Sequence, residues 1–302
     1  MSKKINGFKA STGMVHSTTV SGIIADVILI LLGALAAFIC LVPMWHTLMS
    51  SISDPFSLLS HSGIVLYPIG GVTLDGYIEL FSDNGILIGY ANTIIYVVGT
   101  VGLGFVIDVV AGYCMSRQTK LKGGFMLFFL FPMMFSGGMI PTYMVVNALG
   151  LVNTRAAVIL LECTNVMNIV IGMNAFNGVP ESTVEAAKME GAGHITIMFR
   201  VMLPQCMNLF VVTILLSLVA SWNSWLNAQI YVGFDRDKWP LQLWIQQIVA
   251  DNENVLNSAN PNYAEYLVQF CVIIAATLPI IIIFPFFQKQ FEKGAMLGAV
   301  KG

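Results

Sequence analysis

Six long apolar stretches constrain the fold of this chain more than any other feature of its sequence. A helix needs about 20 mostly apolar residues to cross a hydrocarbon core of about 30 Å. Stretches of that length cover residues 27–49, 86–114, 123–149, 156–176, 207–231 and 267–287. We therefore predict an all-α integral membrane protein with six transmembrane helices in residues 26–290, preceded by a segment 1–25 and followed by a tail 291–302.

The composition supports a membrane protein and excludes other classes. Charged residues make up 10% of the chain and hydrophobic residues 57%, whereas ordinary soluble domains carry about 25% charged residues. So few charges cannot cover the surface of a soluble enzyme. A net charge of -2 gives no basic footprint for nucleic acid. The five cysteines lie in or beside apolar runs without metal-ligand spacing, so we predict no metal site and no bound cofactor.

The positions of Lys and Arg predict the orientation, because cytoplasmic loops carry an excess of both. If the N-terminus is cytoplasmic, every basic residue lies inside except Arg155, Arg236 and Lys238. No basic residue occurs between Lys9 and Arg117, so loop 50–85 is predicted to be external and both termini cytoplasmic. The apolar run behind the N-terminal lysines is too long for a cleaved signal peptide, and we predict that it remains as the first span.

The external loop 233–265 is long enough to have a function of its own. It contains Trp239-Pro240 followed by an amphipathic run. That run predicts either a short helix lying on the outer surface or a solvated cap over the bundle, and the sequence leaves both open.

The internal loop 178–205 has the signals of a helix–turn–helix. Pro180 suits the first position of a helix, and Gly191 and Gly193 suit its end. A second short helix is predicted over 195–203, ending at Pro204. Two ordered helices between two spans indicate a docking surface for another protein.

The same loop resembles the EAA loop of ATP-binding-cassette (ABC) importer permeases. Glu185-Ala186-Ala187 is followed after three residues by Gly191, and after nine more by Val201, with Leu203-Pro204 close behind. The usual pattern has isoleucine where Val201 stands. The resemblance extends to Asn92-Thr93 and to segments 174–180, 221–225 and 293–302. It points to carbohydrate-uptake permeases, in the branch that takes up oligosaccharides or polysaccharide fragments.

The resemblance implies a type I ABC importer permease fold with a cytoplasmic EAA coupling helix, in the cell membrane of a prokaryote. Such a chain pairs with a second permease, rests on two cytoplasmic ATPase subunits that bind ATP and Mg, and receives substrate from an extracytoplasmic solute-binding protein. It is not an enzyme, and the sequence has no GxxxxGK[ST] phosphate loop. Ala186 and Ala187 are expected to let the ATPase approach closely. The residues implied in coupling are Glu181, Glu185, Ala186, Ala187, Glu190, Gly191, Leu203 and Pro204.

Polar and helix-breaking residues within the spans give further candidates. In span five, aromatic faces beside amides suit a sugar path, or else the membrane-interface belt and hydrogen bonds between helices. Proline and glycine in span three suit a bending gate helix. Glu162 has no basic partner in its span, so it either hydrogen-bonds a neighbouring helix or stays protonated. The path candidates are Trp222, Asn223, Trp225 and Asn227, and the gate candidates are Pro132, Gly137, Gly138 and Pro141.

Three alternatives remain at this point. A secondary transporter driven by an ion gradient would show inverted repeats and a paired charge relay, and no repeat is visible. A membrane scaffold without transport activity gives no reason for the ordered loop at 178–205. An importer with the same mechanism could instead carry an amino acid, an osmolyte or a metal.

Overall fold

The computed structural model describes residues 20–117, 122–135, 137–256 and 263–299. Within these ranges the regular elements are helices, and an isolated antiparallel bridge joins Ser53 to Val72, so the all-α prediction is confirmed. The helices are α1 Val20–Ser51, α2 Pro55–Ser60, α3 Asp75–Ser82, α4 Asn84–Ser116, α5 Lys122–Met134, α6 Met139–Ala148, α7 Arg155–Glu162, α8 Val166–Asn177, α9 Glu181–Met189, α10 His194–Thr196, α11 Leu203–Trp222, α12 Leu226–Val232, α13 Leu241–Leu256 and α14 Tyr263–Ala299.

Four helical runs in the described residues are long and apolar enough to cross a membrane by themselves. They cover Gly22–Ser51, Asn84–Ser116, His194–Trp222 and Tyr263–Phe287. Two bent pairs qualify together: α5 with α6 at 117°, and α7 with α8 at 49°. If each bent pair counts as one span, the total is six, and each run overlaps one of the six predicted stretches.

The fifth predicted span, 207–231, is displaced in the structure. The helical run begins at His194, ends at Trp222 and is followed by the separate helix α12. The predicted short helix ending at Pro204 is also wrong. Residues Ile197–Met202 form a π-helix, in which the Leu203 N–H donates to the Met198 carbonyl five residues back. Such a widened turn lets the helix pass through Pro204, which has no N–H to donate and would crowd an α-helical carbonyl.

Other helix boundaries also differ from the predicted apolar stretches. The fourth predicted span is interrupted at residues 163–165, between α7 and α8. α1 already begins at Val20, and the backbone of α14 continues to Ala299, into the predicted tail. The three N-terminal lysines, Lys120 and residues 300–302 lie outside the described residues.

Two clusters of buried side chains hold the bundle together. One joins α4, α13 and α14 around Trp222, Trp239 and Leu241. Leu243 and Trp244 of α13 are buried as well, so this part of loop 233–265 is a cap packed on the bundle rather than a helix lying free on its surface. The other cluster joins α4, α8, α9 and α11 around Phe176 and Phe210.

The helix α4 approaches α7 and α8 closely because glycines face them. A Cβ built on Gly104 would lie 2.6 Å from the Cys163 carbonyl oxygen, and one on Gly112 would lie 2.9 Å from the Gly172 carbonyl carbon. Small residues at such crossings are the usual means of close helix packing in membranes. A Cβ built on Gly102, two residues from Gly104, would meet no other atom within 4 Å.

We expect opposite effects from alanine at these neighbouring positions. Gly104→Ala should destabilise the protein by about 1–3 kcal/mol. The added methyl group would clash with the backbone carbonyl of Cys163, which cannot rotate away, so the two helices would have to separate. Gly102→Ala should be neutral or stabilise by up to about 1 kcal/mol, because alanine favours the helix. The apparent melting temperatures of the two variants check this. A Gly104→Ala protein as stable as the wild type would contradict the close approach.

Candidate functional site

The helix α9 carries most of the sequence-predicted coupling residues, and it has distinct inner and outer faces. Val184 is 1% exposed and Ala187 9% exposed, and both pack into the cluster around Phe176 and Phe210. Glu181, Glu185, Ala186 and Glu190 point away from that cluster and are exposed. Ala187 therefore contacts the protein's own core, contrary to the expectation that both alanines face a partner.

The turn after α9 has the geometry that glycine favours. Gly191 has φ of 81°, in the left-handed region. Its N–H donates to the Lys188 carbonyl at 2.9 Å, and the Ala192 N–H donates to the Ala187 carbonyl at 3.0 Å. This pair of bonds is a Schellman motif. Gly193 has φ of -74° and precedes α10, so Gly191 alone forms the predicted glycine cap.

The end of α4 contacts both sides of this turn. The Arg117 guanidinium lies 4.0 Å from the Glu181 carboxylate and 5.4 Å from the Tyr113 ring centroid, and a 3.1 Å hydrogen bond joins Tyr113 Oη to His194 Nδ1. Because Glu181 is largely exposed, its ion pair contributes at most about 1 kcal/mol. Burying a valine side chain contributes about 1.5–3 kcal/mol, so the packing of Val184 does more to hold α9 in place.

The remaining coupling candidates lie where α9 meets the bundle. Leu203 is half-buried and packs against the same cluster as α9, whereas Pro204 is exposed at the start of α11. Met189, Ile195 and Phe199 are apolar and exposed in the same loop, with Met189 at 88%. Large apolar side chains exposed beside an acidic helix face are typical of an interaction surface.

The four path candidates of span five do not share one environment. Trp222 is buried, and its Nε1 donates to the Ala276 carbonyl at 3.1 Å. Trp225 packs against the cluster that contains Trp222. The amide of exposed Asn223 donates to the Val219 carbonyl of its own helix at 2.8 Å. Asn227 differs, because its amide reaches Glu162 Oε1 at 3.0 Å.

Glu162 lies in a polar cleft of about 310 Å³, which we call the Glu162 chamber. Ser224 Oγ and Asn227 Nδ2 both donate to Glu162 Oε1, so the alternative of a hydrogen bond to a neighbouring helix describes its geometry. Our sequence interpretation missed the hydroxyl groups around it, although Ser217 and Ser221 are four residues apart and so lie on one face of a helix. The chamber is lined by Thr100, Leu161, Glu162, Thr164, Asn165, Ser217, Ala220, Ser221, Ser224 and Asn227.

The gate candidates of span three lie at a sharp bend. Pro132 is inside α5, and Pro141 is in the first turn of α6. Gly137 and Gly138 lie between the two helices, and Gly138 has φ of 83°. The bend of 117° falls at this break.

Asn92 and Thr93 tie α4 to the loop before α13. Asn92 Nδ2 donates to the Asp237 and Trp239 carbonyls, and Thr93 Oγ1 accepts the N–H of Leu241 at 2.8 Å. The same loop has a contact of its own: Lys238 hydrogen-bonds the Asp235 carboxylate, and this bond lowers the pKa of Asp235 below its ordinary value. The pair Asn92-Thr93 therefore positions this loop and the start of α13.

Long apolar helices, two bent spans, a polar chamber within the bundle and an ordered loop helix define a multi-pass membrane permease. The family model described as "Binding-protein-dependent transport system inner membrane component" matches residues 101–295, which is more than half of the chain. The chain belongs to this family. It is therefore a permease subunit of a bacterial inner-membrane ABC transporter, in which a separate subunit hydrolyses ATP.

Relatives match over nearly the full length. The chain is 34% identical to the polygalacturonan/rhamnogalacturonan transport system permease protein YtcP of Bacillus subtilis (strain 168), over 88% of this chain and 94% of YtcP. It is 35% identical to protein LplC of the same organism, over 95% of this chain and 98% of LplC. The fold is similar to a chain of a bacterial ABC transporter involved in the import of the acidic polysaccharide alginate, with a TM-score of 0.79, 24% identity, and coverage of 90% of this chain and 98% of that one.

Proposed function

We propose that this chain is the permease subunit of an ATP-driven, binding-protein-dependent importer of an oligosaccharide. The observation that carries the proposal is the 34% identity to YtcP over nearly the whole chain, because YtcP is named for the transport of polygalacturonan and rhamnogalacturonan. The ABC transporter of similar fold is likewise involved in the import of a polysaccharide.

The outer face of α9 is the proposed contact with the ATPase. Glu181, Glu185 and Glu190 lie exposed on or beside a helix whose opposite face is buried, and Ala186 leaves room for a close approach. A cationic surface on the ATPase would complement these carboxylates. Glu185 is the residue we assign to face a basic side chain there, and Gly191 turns the chain back towards the bundle.

The buried face of α9 provides a route from the ATPase to the spans. Val184 and Ala187 contact the cluster that also contains residues of α4, α8 and α11. Leu203 packs against the same cluster, and Pro204 follows it into α11. Because a packed interior shifts between discrete arrangements rather than deforming freely, closure of the ATPase would move α9 and these helices together.

The proposed complex contains this chain, a second permease, two cytoplasmic ATPase subunits that bind ATP and Mg, and an extracytoplasmic solute-binding protein. In the orientation predicted from the positions of Lys and Arg, both termini are cytoplasmic, and loop 233–265 faces the binding protein. The break at Gly137 and Gly138, flanked by Pro132 and Pro141, is the proposed gate. Of the path candidates, Asn227 has the geometry to meet a substrate, because it lines the Glu162 chamber.

Reversing the charge at Glu185 tests the coupling assignment. Glu185→Lys should lower both uptake and substrate-stimulated ATP hydrolysis about fivefold, at the lower end of typical coupling energies. The chain should still insert and fold, because Glu185 is exposed. Glu79→Lys on α3 is the matched control, because it makes the same charge reversal at a residue about 100 positions before α9 in the sequence. If the Glu185→Lys complex kept full uptake and stimulated hydrolysis, α9 would not be the coupling helix.

A further inference from the structure

The Glu162 chamber is an open cleft at the level of the middle of α4. Thr100, which lines it, is the central residue of the 33-residue helix α4. It therefore lies about 24 Å from either end of that helix, at a rise of 1.5 Å per residue. A polar chamber at this position is about half-way across the membrane span.

Two breaks between consecutive helices meet at the chamber. The break between α7 and α8 contributes Thr164 and Asn165, and the break between α11 and α12 contributes Ser224. Non-helical backbone at bilayer depth is tolerated where it is buried in protein or lines a cavity. Both breaks border the same cavity, so the interruption of one span and the end of the neighbouring span have one common explanation in a polar chamber.

Unsatisfied hydroxyl groups indicate that the chamber takes a ligand. Among the described residues, Thr100 Oγ1 and Ser221 Oγ have no hydrogen-bond partner, although these residues are only 3% and 7% exposed. Thr93, in the same helix as Thr100, donates to its own helix at the Gly89 carbonyl. A buried hydroxyl without a partner loses its hydration without compensation, so rotation of either side chain towards a polar molecule bound in the chamber would satisfy its hydroxyl.

The hydrogen bonds of Glu162 leave its second carboxylate oxygen available as an acceptor. Ser224 and Asn227 both donate to Oε1, and in the described part of the chain no hydrogen bond reaches Oε2. The carboxylate is thus oriented by one oxygen and can accept a ligand hydroxyl with the other. The described lining contains no Lys or Arg, so no cation is present there to attract an anionic ligand.

We propose that the Glu162 chamber is a subsite for one uncharged sugar ring, and that Glu162 excludes uronic acids from it. Hydroxyls, amides and a carboxylate match the alternating donors and acceptors of a sugar ring. The volume of about 310 Å³ is at the lower end of small-molecule sites, which suits a single ring. A uronate would place a second carboxylate beside that of Glu162, and two like charges placed together reject the wrong ligand.

This inference rests on the proposed function and makes its substrate more specific. It commits the chain to a neutral saccharide at this position, although proteins that it resembles are named for acidic glycans. The preference for a neutral over an acidic saccharide is assigned to the side chain of Glu162, so substitutions of Glu162 test the proposal.

The test compares disaccharides that differ at C6 alone. Labelled galactobiose and digalacturonate, and cellobiose and its diglucuronate counterpart, are bound to the purified permease–ATPase complex without the binding protein. The wild type should bind the neutral member of a pair at least about tenfold more tightly. Glu162→Gln should abolish this preference, Glu162→Asp should keep it, and Glu79→Gln on α3 should leave it unchanged.

A second variant guards against a misfolded Glu162→Gln protein. Thr100→Val keeps the shape of the side chain and removes the hydroxyl that lacks a partner. It should raise the apparent melting temperature of the sugar-free complex and weaken binding of the neutral disaccharide about threefold. A threonine with a purely structural role would show no such opposite pair of effects.

Four outcomes would overturn the proposal: a wild type that prefers uronates, no disaccharide binding, an unchanged preference in Glu162→Gln, or sodium-dependent uptake that Glu162→Gln makes sodium-independent. Measuring uptake with the binding protein present distinguishes failure of the proposed transport function from failure of the inference about Glu162. If saccharide uptake is measured but the preference does not depend on Glu162, the proposed function stands and this inference fails. If no saccharide is taken up, both fail.

Discussion

Asn92→Ala is expected to destabilise the protein by about 2–4 kcal/mol, because the amide satisfies several groups at once. Asn92 is 2% exposed. Its Oδ1 accepts from Arg155 Nη2 at 2.8 Å and Nε at 3.1 Å, and its Nδ2 donates to the carbonyls of Asp237 and Trp239 at 2.8 and 3.0 Å. Alanine would leave a guanidinium and a buried carbonyl without these partners, which costs more than a lost bond at the surface.

Thermal unfolding of the purified protein measures this effect, and Asn223→Ala is its matched control. The Asn223 amide bonds a carbonyl of its own helix and is exposed, so water can replace the bond at little cost. Asn92→Ala should also loosen the loop before α13, which hydrogen exchange of residues 235–241 would record. Equal melting temperatures for the two variants would show that the Asn92 contacts contribute little.

The sequence predicts the spans well because each depends on local composition. A run of about 20 apolar residues is long enough to cross the bilayer as a helix, and each of the six runs overlaps a long helix or a bent helix pair. The turn after α9 was predictable for a similar reason. Gly191 follows the helix α9, which begins at Glu181 directly after Pro180, and a glycine at that point adopts the left-handed conformation that ends a helix.

The contacts of Asn92 could not be predicted from the sequence. Its carbonyl partner in Asp237 is 145 residues away, and no local pattern specifies that pairing. The same holds for the Glu162 chamber, in which Glu162 meets Ser224 and Asn227 across two different spans. An isolated glutamate in an apolar run predicts a polar contact, but which residue makes that contact depends on how the helices pack.

The shift of span five has a physical cause that hydropathy does not record. The apolar run continues to Tyr231, so composition alone extends the span to that point. The helix nevertheless ends at Trp222, where buried Trp222 donates to α14 and Ser224 turns towards Glu162. At its start, the π-helix at Ile197–Met202 carries the helix past Pro204. Tertiary contacts thus decide where this helix ends, and a local π-helix decides how it begins.

Gly191→Pro is expected to reduce uptake about 100-fold, close to the upper end of typical coupling energies. Proline requires φ near -65°, whereas Gly191 has φ of 81°. Proline would also remove the N–H that bonds the Lys188 carbonyl. The chain could not reverse at residue 191, so the outer face of α9 would no longer be presented in its present orientation.

A graded series at this position separates backbone strain from loss of side-chain space. A Cβ at Gly191 would meet nothing within 4 Å, so the cost of each substitution comes from φ alone. Gly191→Ala should cost about 1–2 kcal/mol locally, and Gly191→Asn should cost less, because asparagine tolerates the left-handed region. Gly193→Ala is the matched control, since Gly193 has φ of -74° and open space around it.

Uptake and substrate-stimulated ATP hydrolysis should therefore fall in the order Gly193→Ala, Gly191→Asn, Gly191→Ala, Gly191→Pro, with the first close to the wild type. The chain should remain in the membrane in every case, because the spans do not depend on this turn. If Gly191→Ala and Gly193→Ala reduced uptake equally, the conformation at residue 191 would have no part in coupling. An order that follows φ would identify the Schellman turn as the element that holds α9 against its ATPase.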